Sequence, residues 1–157
     1  PEMRSWSDGA RARYRAAAQQ RPGTVLALLH APDADLTVPV YATYSQLNLD
    51  RGAAVIDGMA YPQELGHIGI AGHRDGYFRA LRHLRLGARL TLETPEGERR
   101  YVVDDLRVVE PTELAWLKET DSPRLTLVTC YPFHYVGDAP QRYLVRAAPL
   151  TQQAEQP

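Results

Sequence analysis

The stretch Arg124-Leu125-Thr126-Leu127-Val128-Thr129-Cys130-Tyr131-Pro132 alternates like a β-strand and carries the single cysteine of the 157-residue chain. Side chains two residues apart share a face of a strand, so Val128 lies on the face of Cys130, whereas Leu127 lies with Thr129 on the other. We expect one face to belong to the core and the other to floor a site. Cys130 then projects from a strand end, where packing holds a nucleophile against a substrate.

Two further segments place chemically useful side chains at strand ends. Ile68-Gly69-Ile70-Ala71-Gly72-His73-Arg74-Asp75 is a short apolar strand that stops at a histidine, and Gln141-Arg142-Tyr143-Leu144-Val145-Arg146 opens a strand with an arginine. A free cysteine on its own is most often a packed small hydrophobe. A nucleophile, a base and a cation at three strand ends favour a catalytic interpretation instead.

These three segments resemble the sortase family. Thr126-Leu127-Val128-Thr129-Cys130 matches the family signature Thr-Leu-x-Thr-Cys, Gly72-His73-Arg74 matches the segment of its catalytic histidine, and Arg142-Tyr143-Leu144-Val145 matches the strand of its arginine. The strings around His73 and Cys130, extended to Tyr77-Phe78 and to Phe133, are most similar to class D sortases. The resemblance covers roughly residues 25–150.

The resemblance implies a cysteine transpeptidase and a role for each of three residues. Cys130 attacks the Thr carbonyl of a sorting signal such as Leu-Pro-x-Thr-Gly or Leu-Pro-x-Thr-Ala and forms an acyl-enzyme. His73 acts as general acid and then as general base, since an imidazole titrates near neutral pH. Arg142 either stabilises the oxyanion or holds the backbone of the substrate. An amine acceptor, from a cell-wall precursor or a pilin lysine, then takes the acyl group, which anchors a protein to the cell envelope or assembles a pilus.

The residues around the nucleophile are expected to contact the substrate. We assign Thr129, Tyr131 and His134 to this role, because loop residues near a nucleophile often bind substrate. His134 lies four residues after Cys130 and is the rival of His73 for the catalytic role. The remaining histidines are expected to be surface or structural residues, namely His30 in a loop, His67 near a bend and His83 in a helical turn.

Many short strands with few helices predict a mainly β protein. The resemblance implies a sortase-like closed eight-stranded β-barrel with a few short helices and an N-terminal helix. Helical patterns are seen at residues 5–20, 45–57, 77–86 and 112–119, the last capped by Thr112, and a hairpin turns at Thr94-Pro95-Glu96-Gly97. We divide the chain into an N-terminal helical extension (1–22), the catalytic barrel (23–150) and a C-terminal tail (151–157).

Composition excludes several classes of protein. A net charge of −1 gives no reason to expect nucleic acid as a partner, and 44% hydrophobic residues are ordinary for one globular domain. One cysteine cannot form a disulfide within the chain. No cofactor and no metal site are expected, because there is no cysteine pair and the Asp33/Asp35 and Asp104/Asp105 pairs lack the spacing of a calcium loop.

The sequence also gives information on where in the cell the protein acts. Its longest uninterrupted apolar run, residues 25–29, is too short to span a bilayer. Because the chain starts at Pro1 without an initiator methionine, we infer that an upstream segment has been removed. The resemblance implies that this segment was a membrane anchor, and that the enzyme acts at the extracytoplasmic face of the cell membrane on proteins with a C-terminal sorting signal.

Two other interpretations remain open. One is a different cysteine peptidase or hydrolase, but papain-like enzymes place the cysteine before the histidine, whereas His73 precedes Cys130 here. L,D-transpeptidases set the cysteine in a Ser-His-Gly-Cys-like context, which is missing here. The other is a non-catalytic β-barrel binding module in which Cys130 is merely buried. Thiol reactivity separates the two kinds of protein, because a packed cysteine resists alkylation until the protein unfolds.

Overall fold

Eight strands close into a barrel in the computed structural model of this chain, which describes residues 6–11, 23–118, 123–131 and 140–150. The strands are β1 (Val25–Ala31), β2 (Leu36–Tyr41), β3 (Ala53–Val55), β4 (His67–Ala71), β5 (Arg89–Thr94), β6 (Gly97–Val109), β7 (Arg124–Tyr131) and β8 (Gln141–Pro149). The expected closed eight-stranded β-barrel is therefore confirmed.

The strand order around the barrel is β1-β2-β3-β4-β7-β8-β6-β5, and β5 returns to β1. Two neighbouring pairs are parallel, β2 with β3 and β4 with β7, and the other pairs are antiparallel. Because β5 pairs back onto β1, the sheet formed by the described strands has no open edge strand.

Short helices connect the strands. Among the described residues, one α-helix has both of its ends defined: α1 (Gln46–Arg51), which follows β2. Ser45 caps this helix by accepting a hydrogen bond from the backbone N–H of Asn48 at 3.2 Å. The 3-10 helices are Pro32–Ala34, Tyr77–His83 and Ala115–Leu117. None of the described helices is long and apolar enough to cross a membrane.

The prediction of a helix over residues 45–57 is wrong in its second half, where β3 follows α1. The chain reverses at Gly52, where a Cβ atom would lie 2.6 Å from the carbonyl oxygen of Pro39 on β2. Glycine thus lets the chain come close enough to pair with β2. A strand of three residues is too short to show an alternating pattern, which is why the sequence does not reveal it.

Two smaller predictions also differ from the structure. Leu114, not Thr112, takes the N-cap position of the last 3-10 helix, and no side chain caps it. His30 lies in β1 rather than in a loop, with Nε2 at 2.9 Å from a carboxylate oxygen of Glu93. Strand β1 continues through His30 to Ala31 and ends before Pro32, because proline has no N–H to donate to the sheet.

The hairpin predicted around Pro95 is confirmed. The paired residues of β5 and β6 run from Arg89 with Val102 to Thr94 with Gly97, and a two-residue loop joins the strands. The hydroxyl of Thr94 donates to the carbonyl oxygen of Gly97 at 3.0 Å and accepts from the N–H of Glu96 at 3.2 Å. Gly97 has φ of +129°, a conformation that favours glycine.

The N-terminal segment packs against the barrel at the loop after β4. Trp6 is buried and meets the ring of Tyr77 edge to face, with 5.1 Å between ring centroids. The hydroxyl of Ser7 donates to a carboxylate oxygen of Asp75 at 2.9 Å. Residues 8–11 are helical, and the rest of the helix predicted over residues 5–20 lies outside the described residues, as does the tail 151–157.

The two faces of β7 differ as predicted. Leu125 and Leu127 are fully buried in the main core, which side chains from all eight strands fill from inside the barrel. Val128, on the other face, belongs to a separate apolar cluster with Leu144, against which Trp116 packs. One face therefore belongs to the core, and the other forms the floor on which Cys130 stands.

His67 is a buried structural residue of β4 that hydrogen-bonds to β7 and to Lys118, in the segment that precedes β7. Its ring lies 2.6 Å from the hydroxyl of Thr126 through Nε2 and 3.0 Å from the carbonyl oxygen of Lys118 through Nδ1. Because a carbonyl only accepts, Nδ1–H donates to Lys118, and Nε2 of the neutral ring accepts from Thr126. Burial lowers the pKa of His67, and the positive charges of Arg146 and Arg124 add to this effect.

We expect His67 to make the free energy of unfolding depend on pH. Its folded-state pKa is lowered, so the unfolded chain binds the proton more readily. The contribution is fully present above the unfolded-state pKa and is lost as the pH falls through the folded-state pKa, with a slope of at most about 1.4 kcal/mol per pH unit. Urea unfolding between about pH 7.5 and 5.5 measures this slope.

His67→Gln should reduce the slope of the unfolding free energy with pH, whereas His83→Gln, at an exposed histidine, should leave it unchanged. An unchanged slope in His67→Gln would contradict the assignment.

Candidate active site

Strand pairing brings the ends of β4, β7 and β8 to one edge of the barrel. In the parallel pair of β4 and β7, Ala71 lies opposite Val128, so His73 and Cys130 each stand two residues beyond paired positions. β8 runs antiparallel to β7, and its second residue, Arg142, is the direct cross-strand partner of Cys130. The three residues identified from the sequence therefore meet at one place.

A cleft of about 570 Å³ opens at this edge, and His73, Cys130 and Arg142 all line it. Much of the remaining lining is apolar and comes from α1, from the segment after β3 and from the loop after β6, with Leu49, Ile56, Leu114, Trp116 and Leu117. A cavity of this size with a few polar groups is typical of a ligand-binding site.

Cys130 is partly exposed at the cleft, so it is not a packed core residue. Residues directly opposite each other on antiparallel strands have Cβ atoms about 4.5–5.5 Å apart. The long side chain of Arg142 can therefore reach the thiol of Cys130, or an acyl group bound to it, without any change in the backbone. A strand position gives Cys130 a fixed backbone and an open approach.

His73 follows a glycine that a neighbouring aromatic ring requires. A Cβ atom on Gly72 would lie 2.7 Å from ring atoms of Phe78, a fully buried residue of the main core. The N–H of Gly72 also donates to the carbonyl oxygen of Val128 at 3.2 Å, which extends the pairing of β4 with β7 by one residue. This close packing directs the chain so that His73 faces the cleft.

Two polar residues of α1 contact the ring of His73. A carboxylate oxygen of Asp50 lies 3.2 Å from Nε2, and the amide nitrogen of Gln46 lies 3.2 Å from the same ring atom. Gln46 also donates to Asp50 at 3.0 Å. Neither residue is among the site residues predicted from the sequence. The i,i+4 spacing after the Ser45 cap was the available signal, but it does not indicate which face of the helix meets His73.

Arg142 is held at the start of β8 by contacts on both sides. It pairs with Cys130 of β7 and with Val109 of β6, and its guanidinium donates to the carbonyl oxygen of Gln141 at 3.0 Å. The side chain of Gln141 donates to Glu110, in the loop after β6, at 3.3 Å. These contacts fix the strand end that carries the cation.

The residues expected to contact substrate occupy different surroundings. Thr129 lies at the cleft but is buried, and strand alternation puts its side chain on the face opposite to Cys130. Its hydroxyl has no hydrogen-bond partner among the described residues. Tyr131 stacks on Tyr143, with 5.7 Å between ring centroids and 21° between ring planes. His134 lies outside the described residues.

The charged groups of the cleft are of both signs. Asp57, Glu110 and Glu113 line it together with Arg142. Glu113 also accepts a hydrogen bond from the backbone N–H of Glu110 at 3.1 Å, which orders the loop after β6. The cleft therefore offers donors near the thiol and carboxylates on the side of this loop.

Known proteins share both the sequence and the fold. The Sortase domain family matches residues 29–150. Sortase D of Bacillus subtilis (strain 168) is 30% identical over 141 residues, which cover 89% of this chain and 71% of that protein. The structure of sortase C1 of Streptococcus agalactiae in complex with MTSET has a TM-score of 0.75 at 23% identity and covers 91% of this chain and 87% of that one.

Sortase C from Clostridium perfringens SM101 has a TM-score of 0.74 at 26% identity, over 90% of this chain and 83% of that chain. The family match thus spans most of the barrel, and the arrangement of strands agrees with it. From sequence and fold together, this chain belongs to the sortase family of cysteine transpeptidases and is similar to its class D members.

Proposed function

We propose that Cys130, His73 and Arg142 are the catalytic residues and that the enzyme cleaves an LPxTG- or LPxTA-like sorting signal after its Thr. The observation that carries this proposal is the register of the strands, which puts Arg142 directly opposite Cys130 and brings His73, two residues beyond the end of β4, to the same edge of the barrel. Acyl transfer through a thiolate needs a nucleophile, a proton carrier and a charge stabiliser, and these are the three groups that converge.

In the first half-reaction, the thiolate of Cys130 attacks the Thr carbonyl carbon, and a C–S bond forms. The carbonyl oxygen becomes an oxyanion in the tetrahedral intermediate. When the intermediate collapses, the C–N bond to the next residue breaks, and His73 gives a proton to the leaving amine. The product of this step is a thioester on Cys130.

In the second half-reaction, an amine acceptor attacks the thioester. His73, now neutral, takes a proton from the incoming amine, the new C–N bond forms and the C–S bond breaks. Cys130 returns to the thiolate and His73 to its protonated form, so the cycle closes without net loss or gain of protons by the enzyme. Water in place of the amine would give hydrolysis.

Arg142 carries a permanent charge beside the carbon that reacts. A guanidinium has fixed donors and does not lose its proton in the working pH range. We propose that it stabilises the oxyanion in both half-reactions or holds the backbone of the sorting signal. The two roles differ in their kinetic effect. The interaction with the oxyanion exists only in the transition state, whereas the interaction with the substrate backbone is also present in the bound substrate.

The lining of the cleft suits the apolar part of the sorting signal. Leu49, Ile56 and Trp116 offer a surface for the Leu and Pro side chains, next to the thiol. We propose that Thr129, Tyr131 and His134 contribute to substrate binding around the nucleophile. For Thr129, the support is that it lines the cleft and that its buried hydroxyl has no hydrogen-bond partner among the described residues.

Sortases act on substrate proteins with LPxTG-type signals and on amine acceptors, and the family is associated with the cell envelope. For this chain we propose that residues 23–150 form the catalytic barrel, preceded by a helical extension (1–22) and followed by a tail (151–157). We further propose that a membrane anchor upstream holds it at the extracytoplasmic face of the membrane. The acceptor would be a cell-wall precursor amine or a pilin lysine.

We expect the folded protein to form a thioester on Cys130 when it is incubated with a Leu-Pro-x-Thr-Gly or Leu-Pro-x-Thr-Ala peptide. Intact mass spectrometry should show the acyl adduct, and an added amine should convert it to a new amide product. Cys130→Ala should give neither species, while its urea midpoint should stay near that of the parent, because the thiol is partly exposed.

Alkylation of Cys130 in the folded protein is the control for an unreactive peptide. Rapid alkylation without an adduct would point to a different sorting signal, since the thiol is then accessible. Resistance to alkylation until unfolding would favour the non-catalytic barrel. Cleavage of the peptide by Cys130→Ala at the parent rate would overturn the mechanism.

We expect Arg142→Gln to lower kcat/KM by roughly 10²- to 10³-fold, as does loss of one oxyanion donor in other acyl-transfer enzymes. A fall in kcat at constant KM would assign Arg142 to the oxyanion, and a rise in KM would assign it to the substrate backbone. Arg107→Ala removes an arginine of the adjacent strand that pairs with Asp105 at 2.7 Å, and should leave both constants unchanged. Equal activity of the Arg142→Gln and Arg107→Ala proteins would contradict the role of Arg142.

A further inference from the structure

The ring of His73 is held from one side only. Its Nε2 atom lies 3.2 Å from both Asp50 and Gln46, and no group of the described chain hydrogen-bonds to Nδ1. Two ring nitrogens with such different surroundings do not share the same chemistry, because the hydrogen bond made by one nitrogen decides where the proton sits.

We propose that Asp50 is a positioning residue for His73, whose carboxylate accepts the hydrogen bond of Nε2–H and thereby leaves Nδ1 as the nitrogen that exchanges a proton with the substrate. The inference rests on the proposed function of His73 as general acid and base, because it assigns both proton transfers to Nδ1 and the fixed hydrogen bond to Nε2. Asp50 itself acts through His73 and touches no reacting atom.

Burial makes the contact with Asp50 effective. The side chain of Asp50 is only 10% exposed, and that of His73 is 28% exposed. Trp6, Ala10 and Tyr77 close over the pair from the side of the N-terminal segment and leave a void of only about 10 Å³. On this side water has little access to the carboxylate, so Asp50 is a stronger acceptor than it would be at an open surface. Gln46 and the ring of His73 line the open cleft on the other side.

At Nε2 of His73, the carboxylate of Asp50 competes with the amide group of Gln46. Its amide nitrogen donates to Asp50 at 3.0 Å, and its second N–H can point to Nε2 only when that nitrogen carries no proton. While Asp50 is ionised, the carboxylate keeps Nε2 protonated, and Gln46 serves to hold the carboxylate. Without Asp50, Gln46 would become the partner of Nε2 and would favour the opposite tautomer, with the proton on Nδ1.

The assignment balances the proton transfers of both half-reactions. The protonated ring carries hydrogens on both nitrogens, and Nδ1 loses its hydrogen to the leaving amine as the C–N bond breaks. Nδ1 then regains a hydrogen from the incoming amine as the new C–N bond forms. Throughout the cycle, Nε2–H keeps donating its hydrogen bond to the carboxylate of Asp50, so the ring does not rotate between the two steps.

The tautomer of the free enzyme tests the first part of the proposal without any substrate. In protein labelled with ¹⁵N-histidine at about pH 9, where an imidazole is neutral, two-bond nitrogen–proton spectra distinguish Nε2–H from Nδ1–H. Comparison with His73→Gln identifies the signals of His73. We expect Nε2–H in the parent and Nδ1–H in Asp50→Ala, because Gln46 then donates to Nε2. Retention of Nε2–H in Asp50→Ala would overturn the proposal.

Transpeptidation rates test the second part. We expect Asp50→Ala to lower kcat by roughly 10- to 100-fold with little change in KM, the usual cost of losing a group that orients a functional residue. Asp50→Asn, which keeps an oxygen acceptor of the same shape, should lie between the parent and Asp50→Ala. An altered tautomer with the kcat of the parent would show that Nδ1 is not the reactive nitrogen.

A double variant separates this role from a structural one. Removing Gln46 from the Asp50→Ala protein deletes the donor that favours the wrong tautomer, so Asp50→Ala/Gln46→Ala should regain part of both Nε2–H and kcat. A structural defect would only deepen with the second substitution. A double variant no faster than Asp50→Ala would overturn the part assigned to Gln46.

Another histidine–carboxylate pair among the described residues is the matched control. His30 and Glu93 lie 2.9 Å apart on β1 and β5, away from the cleft. Glu93→Gln should change the signals of His30 and leave those of His73, and the rate, as in the parent. If the parent itself turned over no peptide while the spectra followed these expectations, the proposed function would fail and the orientation of the ring would stand.

Discussion

The parallel pairing of β4 with β7 is the constraint on which the site depends. It sets Ala71 opposite Val128 and so brings His73 and Cys130, each two residues further along its chain segment, to the same edge of the barrel. A slip of one residue would turn each side chain of a strand to the other face and would send the cysteine into the core. The buried His67, which bonds to Thr126 across the same pair, helps to keep the register in place.

Much of this arrangement is readable from the sequence, because it depends on local patterns. The alternation around Cys130 gives the two faces of β7, and the apolar run that ends at His73 gives β4. The turn at Thr94–Gly97 gives the hairpin, since a proline at its second position and a glycine at its fourth mark the reversal. A closed barrel follows from many short strands together with the family resemblance.

The remainder depends on contacts between distant parts of the chain. Asp50 lies 23 positions before His73, and only the fold brings the two together. The three-residue strand β3 shows no periodicity, and its place depends on the close approach of Gly52 to Pro39. The N-terminal segment reaches the loop of His73 through Trp6 and Ser7, contacts that no local pattern in the sequence indicates.

The three proposed catalytic groups differ in how their backbones are supported. Cys130 and Arg142 belong to the hydrogen-bonded ladder of one barrel, so their separation is as stiff as the sheet itself. His73 lies beyond the last strand residue, and its place depends on side-chain packing by Phe78 and on the contacts with α1. Warming or mild denaturant should therefore loosen the proton carrier before the nucleophile and its cation separate, which makes His73 the most temperature-sensitive element of the site.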